Sequence, residues 1–341
     1  MTTAKKIWLT LLLVVVAAAA AVAPYGINYY VDHKRPNFRT SVELYVYPGT
    51  PADSVAAWLD TVVLRPKSLG RALREVESIE PGHYSVSPED PSIYVARMLD
   101  FGWQTPVRLT LSGTLRQKGV IARKIANQMM LDSATVARAL DDKELLAEYG
   151  FTPQNVFAML IPDTYELFWT DSIGKVLDVQ KAAYDAFWTE ENKAKAKAQG
   201  LTQMEVSILA SIVKGETNYE PEMPAIAAVY LNRLRKGMKL QADPTIAYCY
   251  GYTLNRILRK HLTVDSPYNT YKHAGLPPGP IYVPTKACLE AVLNPDKNNY
   301  LFFCASPDFN GSHRFAATYS EHLKNARAFQ KALNERNNKK K

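Results

Sequence analysis

With 341 residues, 47% of them hydrophobic and 22% charged, the chain is too long for one ordinary core and too apolar to be disordered except at its ends. The net charge of +8 is spread along the sequence and gathers only in the terminal "NNKKK", a solvated tail, so no nucleic-acid partner is expected. Cys249, Cys288 and Cys304 stand far apart without a CxxC pair, which excludes a disulfide framework and a structural zinc site and leaves them as small buried hydrophobes.

The chain opens "MTTAKKIWLTLLLVVVAAAAAVAPYGINYY". Residues 1–6 carry two lysines and read as a cytoplasmic N-terminus. The uncharged stretch from Ile7 to Ala23 spans roughly 25 Å at about 1.5 Å per residue, slightly short of a bilayer core, and extension to Tyr30 makes up the length. Trp8 at one end and Tyr25, Tyr29 and Tyr30 at the other resemble interfacial anchors. Residues 7–30 are therefore expected to be a retained single-pass membrane anchor. The rival is a cleaved signal peptide, because the alanine run offers several A-x-A sites. Lys5 and Lys6 on one side against Lys34, Arg35 and Arg39 on the other signal orientation only weakly. Either way the bulk of the chain is expected beyond the inner (cytoplasmic) membrane.

Residues 40–160 read as α+β. "SVELYVY" alternates like a half-buried strand, "PADSVAAWLDTVV" reads as a helix capped near Asp53 or Ser54, and "SLGRALREVESI" reads as a second helix before the short strand "PGHYSV". "VRLTLSGT" at 107–114 partly repeats "VELYVYPGT" at 42–50, and the helix "GVIARKIANQMM" follows it. The pattern is compatible with two small α+β units in tandem, although strand–turn–helix is a common succession. Residues 161–200 read as a connector: "LIPDTYELFW" leads into one long amphipathic helix from Ser172 that stops at Gly200.

Residues 201–333 hold the chemistry, and 334–341 form the basic tail. "LTQMEVSILASIVKGET" begins with a capping box, Thr202 at the N-cap and Glu205 at N3, and with Leu201 and Val206 in a hydrophobic staple. Counting on from this start puts Leu209, Ile212 and Val213 on one face, and the next position on that stripe is Glu216. A second helix with Pro224 in its first turn runs to Gly237, so Glu216 lies near the joint of a helix pair. A carboxylate there is either a structural ion pair with Arg233 or Arg235, or a general acid whose pKa burial has raised. Downstream, "LQADPTIAYCYGY", "SPYNTYKHAGLPPGPI" and "YLFFCASPDFNGSHRF" are polar, aromatic and turn-rich. Gln241, Asp243, Thr245, Asn269, Thr270, Tyr271 and His313 could line a groove for a hydroxyl-rich ligand, although Asp243 before Pro244 and Asn269 after Tyr268 are also natural turn residues.

The run "ILASIVKGET…AAVYLNRLRKGMKLQADPTIAY…SPYNTYKHAGLPPGPI", with "PDTYELF" and "PGHYSV" upstream, resembles the YceG-like family of endolytic murein transglycosylases. The resemblance covers nearly all of the part beyond the membrane. It places Glu216 on the family's catalytic glutamate, and it departs at Lys214, where the family pattern carries an acidic residue. It implies non-hydrolytic cleavage between N-acetylmuramic acid and N-acetylglucosamine, with the muramic 6-hydroxyl closing a 1,6-anhydro ring. One glutamate then serves as acid and base, where a hydrolase usually needs two carboxylates. It further implies that Gln241, Asn269 and Tyr271 hold the sugar ring, that Asp243 and Thr245 shape the loop, and that His313 is a weaker contact. The expected fold class is α+β: an N-terminal membrane helix, LysM-like glycan-binding modules, then a mainly helical α+β catalytic domain. Glycan strands and the membrane are the expected partners, and contact with peptidoglycan synthases is implied by resemblance alone. A role in terminating nascent strands follows from the anchor. The rivals are a lysozyme-type hydrolase pairing Glu216 with Asp243, and a non-catalytic glycan-binding scaffold. No HExxH, GxSxG or Walker loop occurs, and no metal or cofactor is expected.

Overall fold

Helix α1 (Thr3–Lys34) opens the chain in the computed structural model, which describes residues 2–338. It is long and apolar enough to cross a membrane, and Pro24 lies inside it without ending it. The helix runs past the expected segment 7–30, and its last turn has a different role. Asp32 is buried there, accepting Ser68 Oγ at 2.6 Å and both Arg71 Nε and Nη2, at 2.8 and 2.6 Å. A buried carboxylate needs such a complete set of donors, and a forked guanidinium supplies two of them.

The chain divides into two compact units, the first comprising Met1–Arg108, Gln128–Met130 and Glu166–Asp171. After α1 it contains β1 (Val42–Val46), α2 (Ala52–Leu59), α3 (Pro66–Leu73), β2 (Gly82–Val86) and α4 (Ser92–Asp100). β1 and β2 pair antiparallel, with Val42 opposite Val86 and Val46 opposite Gly82. The two-residue period of β1 buries Leu44 and Val46 and exposes Glu43 and Tyr45. Leu44, Val46, Val55, Leu59, Leu69, Tyr84, Val86, Val95 and Leu99 form its core. The expected cap at Asp53 or Ser54 is corrected: the N-cap is Pro51, and Asp53 sits in the first turn, where its charge suits the helix dipole. α3 starts at Pro66 and ends at Leu73, shorter than the pattern suggested.

The second unit comprises Leu109–Asn127, Leu131–Tyr165 and Ser172–Lys341. Along the chain follow β3 (Val107–Thr110), α5 (Lys118–Ala126), α6 (Ser133–Ala139), α7 (Lys143–Glu148), β4 (Thr164–Leu167), α8 (Ile173–Phe187) and α9 (Glu190–Ala198). Then come α10 (Gln203–Glu216), α11 (Met223–Arg235), α12 (Asp243–Cys249), α13 (Lys286–Leu293), β5 (Phe302–Ala305), β6 (His313–Ala316) and α14 (Tyr319–Asn338). β3 pairs with β4, and β5 forms an antiparallel hairpin with β6. The single long connector helix is corrected to α8 and α9. Trp188 leaves helical geometry and Thr189 caps a new start by accepting Asn192 N, so a local cap overrides the continuous pattern. α14 continues through residue 338, so the expected tail begins inside a helix, and Lys339, Lys340 and Lys341 lie outside the described residues.

α10 is the centre of this unit. Every residue from Val206 to Val213 is buried, so this stretch is enclosed on every side, and the helix packs against both α11 and α13. Ser211 satisfies itself in this interior by donating to Ile208 O at 2.7 Å and accepting Ile281 N at 3.0 Å. That second bond ties the "GLPPGPI" segment to the helix.

Candidate active site

The start of α10 is set by the capping box: Glu205 N donates to Thr202 Oγ1 at 3.2 Å, and Thr202 N to Glu205 Oε2 at 2.8 Å. From that start the helix reaches its last residue at Glu216. Gly215, just before it, explains how another element gets close. A Cβ there would stand 2.6 Å from Pro244 Cβ and 3.2 Å from Tyr282 Cε2. Glycine inside a helix costs about 1 kcal/mol relative to alanine. Here the missing side chain lets the first turn of α12, with Asp243, lie against the end of α10.

The other wall comes from α11. Tyr230, buried, donates its hydroxyl to Glu216 Oε1 at 2.5 Å. One turn later Arg233 is also buried, held by Leu301 O at 2.7 Å and Leu240 O at 2.8 Å, with its guanidinium over the Phe302 ring. The ion-pair reading of Glu216 is therefore corrected. Its hydrogen-bond partner is a tyrosine, Arg233 is spent on carbonyls, and Arg235 donates to Gln199 Oε1 at 2.7 Å.

Burial pushes the Glu216 carboxyl up to about 7. The Tyr230 hydrogen bond opposes that rise, the Asp243 charge adds to it, and the Arg233 charge opposes it. Burial likewise drives the Tyr230 hydroxyl well above its ordinary range, with the Glu216 charge helping. Tyr230 therefore stays a donor at any physiological pH. Glu216 can hold or release a proton near neutrality, as a group that acts as acid and then base must.

Two cavities meet at Glu216. One of 290 Å³ is walled by Tyr230, Arg233, Gln241, Asp243, Tyr271, Phe302, Phe303, Tyr319 and His322. The other, of 580 Å³, is walled by Thr114, Arg116, Lys214, Asn218, Tyr219, Tyr282 and Gly311. Polar and aromatic side chains in such a mixture suit a sugar, whose faces are apolar and whose edges are hydroxyls. Among the described residues no group of three or more His, Cys, Asp or Glu could hold a metal ion.

Of the residues singled out in the sequence, Gln241, Asp243 and Tyr271 line the smaller cavity with Glu216. Tyr271 donates to Asp243 Oδ1 at 2.5 Å. Gln241 has a φ of +48°, a left-handed conformation that a side chain disfavours. Thr245, Asn269 and Thr270 have a different placement: they are 0%, 0% and 2% exposed and present no surface to a ligand. Asn269 Nδ2 donates to Leu262 O and Val264 O, and its Oδ1 accepts Tyr271 N. Thr245 and Thr270 join hydroxyls at 2.9 Å, and Thr270 Oγ1 accepts Ala242 N at 3.0 Å. These three hold the loops that carry Gln241, Asp243 and Tyr271. His313 lies in neither cavity lining, since Glu222 takes its backbone N–H and its Nδ1, both at 2.9 Å.

Tyr230, Arg116, Tyr282, Phe302 and Phe303 escaped the sequence reading, which named Arg233 only as an ion-pair partner of Glu216. For Tyr230 and Arg233 a signal existed, because at i and i+3 of α11 they share one face. For Arg116, far upstream in the chain, there was none.

The sequence profile of the YceG-like family matches residues 44–328, which include every residue of both cavity walls. The chain belongs to the YceG-like family. An "Endolytic murein transglycosylase" of Bacillus subtilis is 34% identical over 251 residues, 69% of this chain and 68% of that protein. A protein of the same name from Streptococcus pneumoniae is 31% identical over 171 residues, 49% of this chain but only 31% of that longer protein. Among solved structures, a YceG-like protein from Listeria monocytogenes matches with a TM-score of 0.54 at 28% identity, covering 84% of this chain and 99% of that one.

Proposed function

We propose that this YceG-like chain is a membrane-anchored endolytic lytic transglycosylase of peptidoglycan, with Glu216 as its general acid and base. The observation that carries the reading is the state of Glu216: a carboxyl raised to about 7 by burial, at the meeting of two sugar-sized cavities. The names of the Bacillus and Streptococcus relatives supply the substrate class.

Protonated Glu216 donates to the oxygen linking C1 of N-acetylmuramic acid to C4 of N-acetylglucosamine. As the C1–O bond breaks, the 6-hydroxyl of the same muramic residue bonds to C1, and its proton passes to Glu216. The products are a free 4-hydroxyl and a 1,6-anhydro end, no water is consumed, and the glutamate ends protonated as it began. A nucleophile already tethered to the electrophile has a high effective concentration once the ring is held in the reactive pucker. Gln241, Tyr271, Phe302 and Phe303 are suited to hold it. Cavities adjoining Glu216 from two sets of walls suit cleavage within a strand rather than at its end.

α1 is assigned to single-pass anchoring in the inner membrane, with the two units on the far side. The β–α–α–β succession of the first unit supports a LysM-like glycan-binding reading. Such an anchor would restrict cutting to new strands beside the bilayer, near the synthases that extend them, and so terminate their growth.

A hydrolase has one observation in its favour, because Asp243 lines the same cavity as Glu216 and could activate a water. The test is to incubate the full-length protein in detergent with purified peptidoglycan, beside Glu216→Gln, and to weigh the products. Anhydro ends from the wild type alone support the transglycosylase. Reducing ends would replace it by the hydrolase, and binding without cutting by either protein would replace it by a scaffold.

A further inference from the structure

The larger cavity holds two cations that no described carboxylate pairs. Lys214, in the last turn of α10, donates to the neutral amide of Asn218 at 2.7 Å. Arg116 donates to the Tyr282 hydroxyl at 3.2 Å and lies over the Tyr252 ring at 4.3 Å. Their neighbours in the same unit behave differently: Lys118 pairs with Asp141, and Lys286 with Asp163 at 2.6 Å. Both unpaired cations are half-buried, and both share a 580 Å³ cavity with Glu216. The main chain beside Arg116 is fixed, because Val283 N donates to Leu115 O at 2.8 Å. Guanidinium and ammonium groups that line an open cavity from a fixed main chain, with only neutral partners, are placed to receive an anion.

Peptidoglycan brings an anion to this place. On the proposed reading the muramic residue gives up its C1 bond beside Glu216, and its lactyl ether stands at C3 of the same ring, two bonds from C1. The peptide attached to that ether carries free carboxylates. It must leave the ring within a few ångströms of the glutamate, into whichever cavity has room. We propose that Arg116 and Lys214 form a subsite for a carboxylate of the muramic peptide, so that the enzyme prefers strands with acidic peptides. This rests on the transglycosylase reading of the same site. Walls of Tyr219 and Tyr282 give the peptide backbone an apolar surface to lie on.

The test compares two substrates with the full-length protein in detergent: uncrosslinked glycan strands with native peptides, and the same strands with the peptide carboxylates converted to amides. The wild type should show a kcat/KM about tenfold higher on the acidic strands, the scale of one charge-assisted contact. K214M should bring that ratio towards one, mainly through KM, and K214R should restore it. Raising the salt concentration should lower the ratio in the wild type. Equal cleavage of both substrates by the wild type would overturn the subsite and leave the transglycosylase standing. So would a K214M that keeps the ratio, or one that slows both substrates equally, which would mean that Lys214 acts on Glu216 instead. Calorimetric binding of both strands to Glu216→Gln makes the same comparison without catalysis. If no strand is cut, a binding preference for acidic peptide still supports the subsite, and equal binding rejects it.

Discussion

The Tyr230 hydroxyl donates to Glu216 Oε1 at 2.5 Å across the joint between α10 and α11, and it favours the ionised carboxylate against the burial that disfavours it. Y230F keeps the ring and removes that donor. The pKa of Glu216 should then rise further, and the alkaline limb of kcat/KM should move to higher pH. Below the limb Glu216 is protonated, so the loss should be no more than about tenfold, the upper worth of one hydrogen bond between neutral groups. A limb that stays put would show that the hydrogen bond does not tune the acid.

The wild-type pH–rate profile should itself fall as pH rises through about 7, because the acid must be protonated to act. Glu216→Gln should leave no anhydro product at any pH. Rates that keep climbing to pH 9 would remove Glu216 as the acid.

The same group makes stability depend on pH, and the sign follows from proton counts. The folded pKa of about 7 lies above the ordinary glutamate value of 4.5, so between these values the native state binds more protons than the unfolded one. Stability should therefore be fully present below pH 4.5, as far as this residue is concerned, and be lost as pH rises to about 7. Glu216→Gln removes the dependence and should be more stable than the wild type at pH 8, by about 1–3 kcal/mol. Urea titrations of the two proteins at pH 5 and pH 8 check it.

Gly215→Ala should be a poor enzyme although alanine is the better helix former. Its methyl would meet Pro244 at 2.6 Å and push α12, with Asp243, away from Glu216. A loss of about 1–3 kcal/mol of stability is expected from overpacking, with a fall in kcat. Unchanged stability and activity would mean that α12 yields without consequence.

Asp243→Asn separates the two chemistries. The Asp243 charge helps to raise the Glu216 pKa, so the variant should move the alkaline limb to lower pH while its products keep anhydro ends. Loss of cleavage, in a protein whose wild type leaves reducing ends, would make Asp243 the second carboxylate of a hydrolase.

A protein lacking residues 1–39 should be less stable than one lacking residues 1–24. The longer deletion removes Asp32, with its bonds to Ser68 and Arg71, and the buried Asn37 and Phe38, which belong to the core of the first unit. Thermal melts of the two in the same buffer should differ by several degrees, and coincident melts would mean that the last turn of α1 is dispensable.

Much of the site could be read from local order. The capping box of Thr202 and Glu205 counts forward to Glu216, and the break before Pro224 marks the joint where that carboxylate lies, because caps and prolines act within one helical turn. β1 was legible for a similar reason, since alternation every second residue shows directly which side chains are buried. The connector helix misled because Thr189 and the two glutamates after it signal a new start more strongly than the surrounding pattern signals continuity.

Asn269, Thr245 and Thr270 show the limit most clearly. Polar residues in turn-rich segments look alike whether they bind a ligand or hold a loop, and only their hydrogen-bond partners tell the two apart. Partners such as Val264 O and Ala242 N come from folded neighbours. The amino-acid order alone therefore defined the apolar N-terminal helix, the start of α10 and the one carboxylate on its apolar stripe, all of which depend on interactions a few residues apart. Folding in three dimensions brought Tyr230, Asp243 and Arg233 around that carboxylate and took it out of water, and its pKa follows from that company. Desolvation and charge act through space and take no account of separation along the chain.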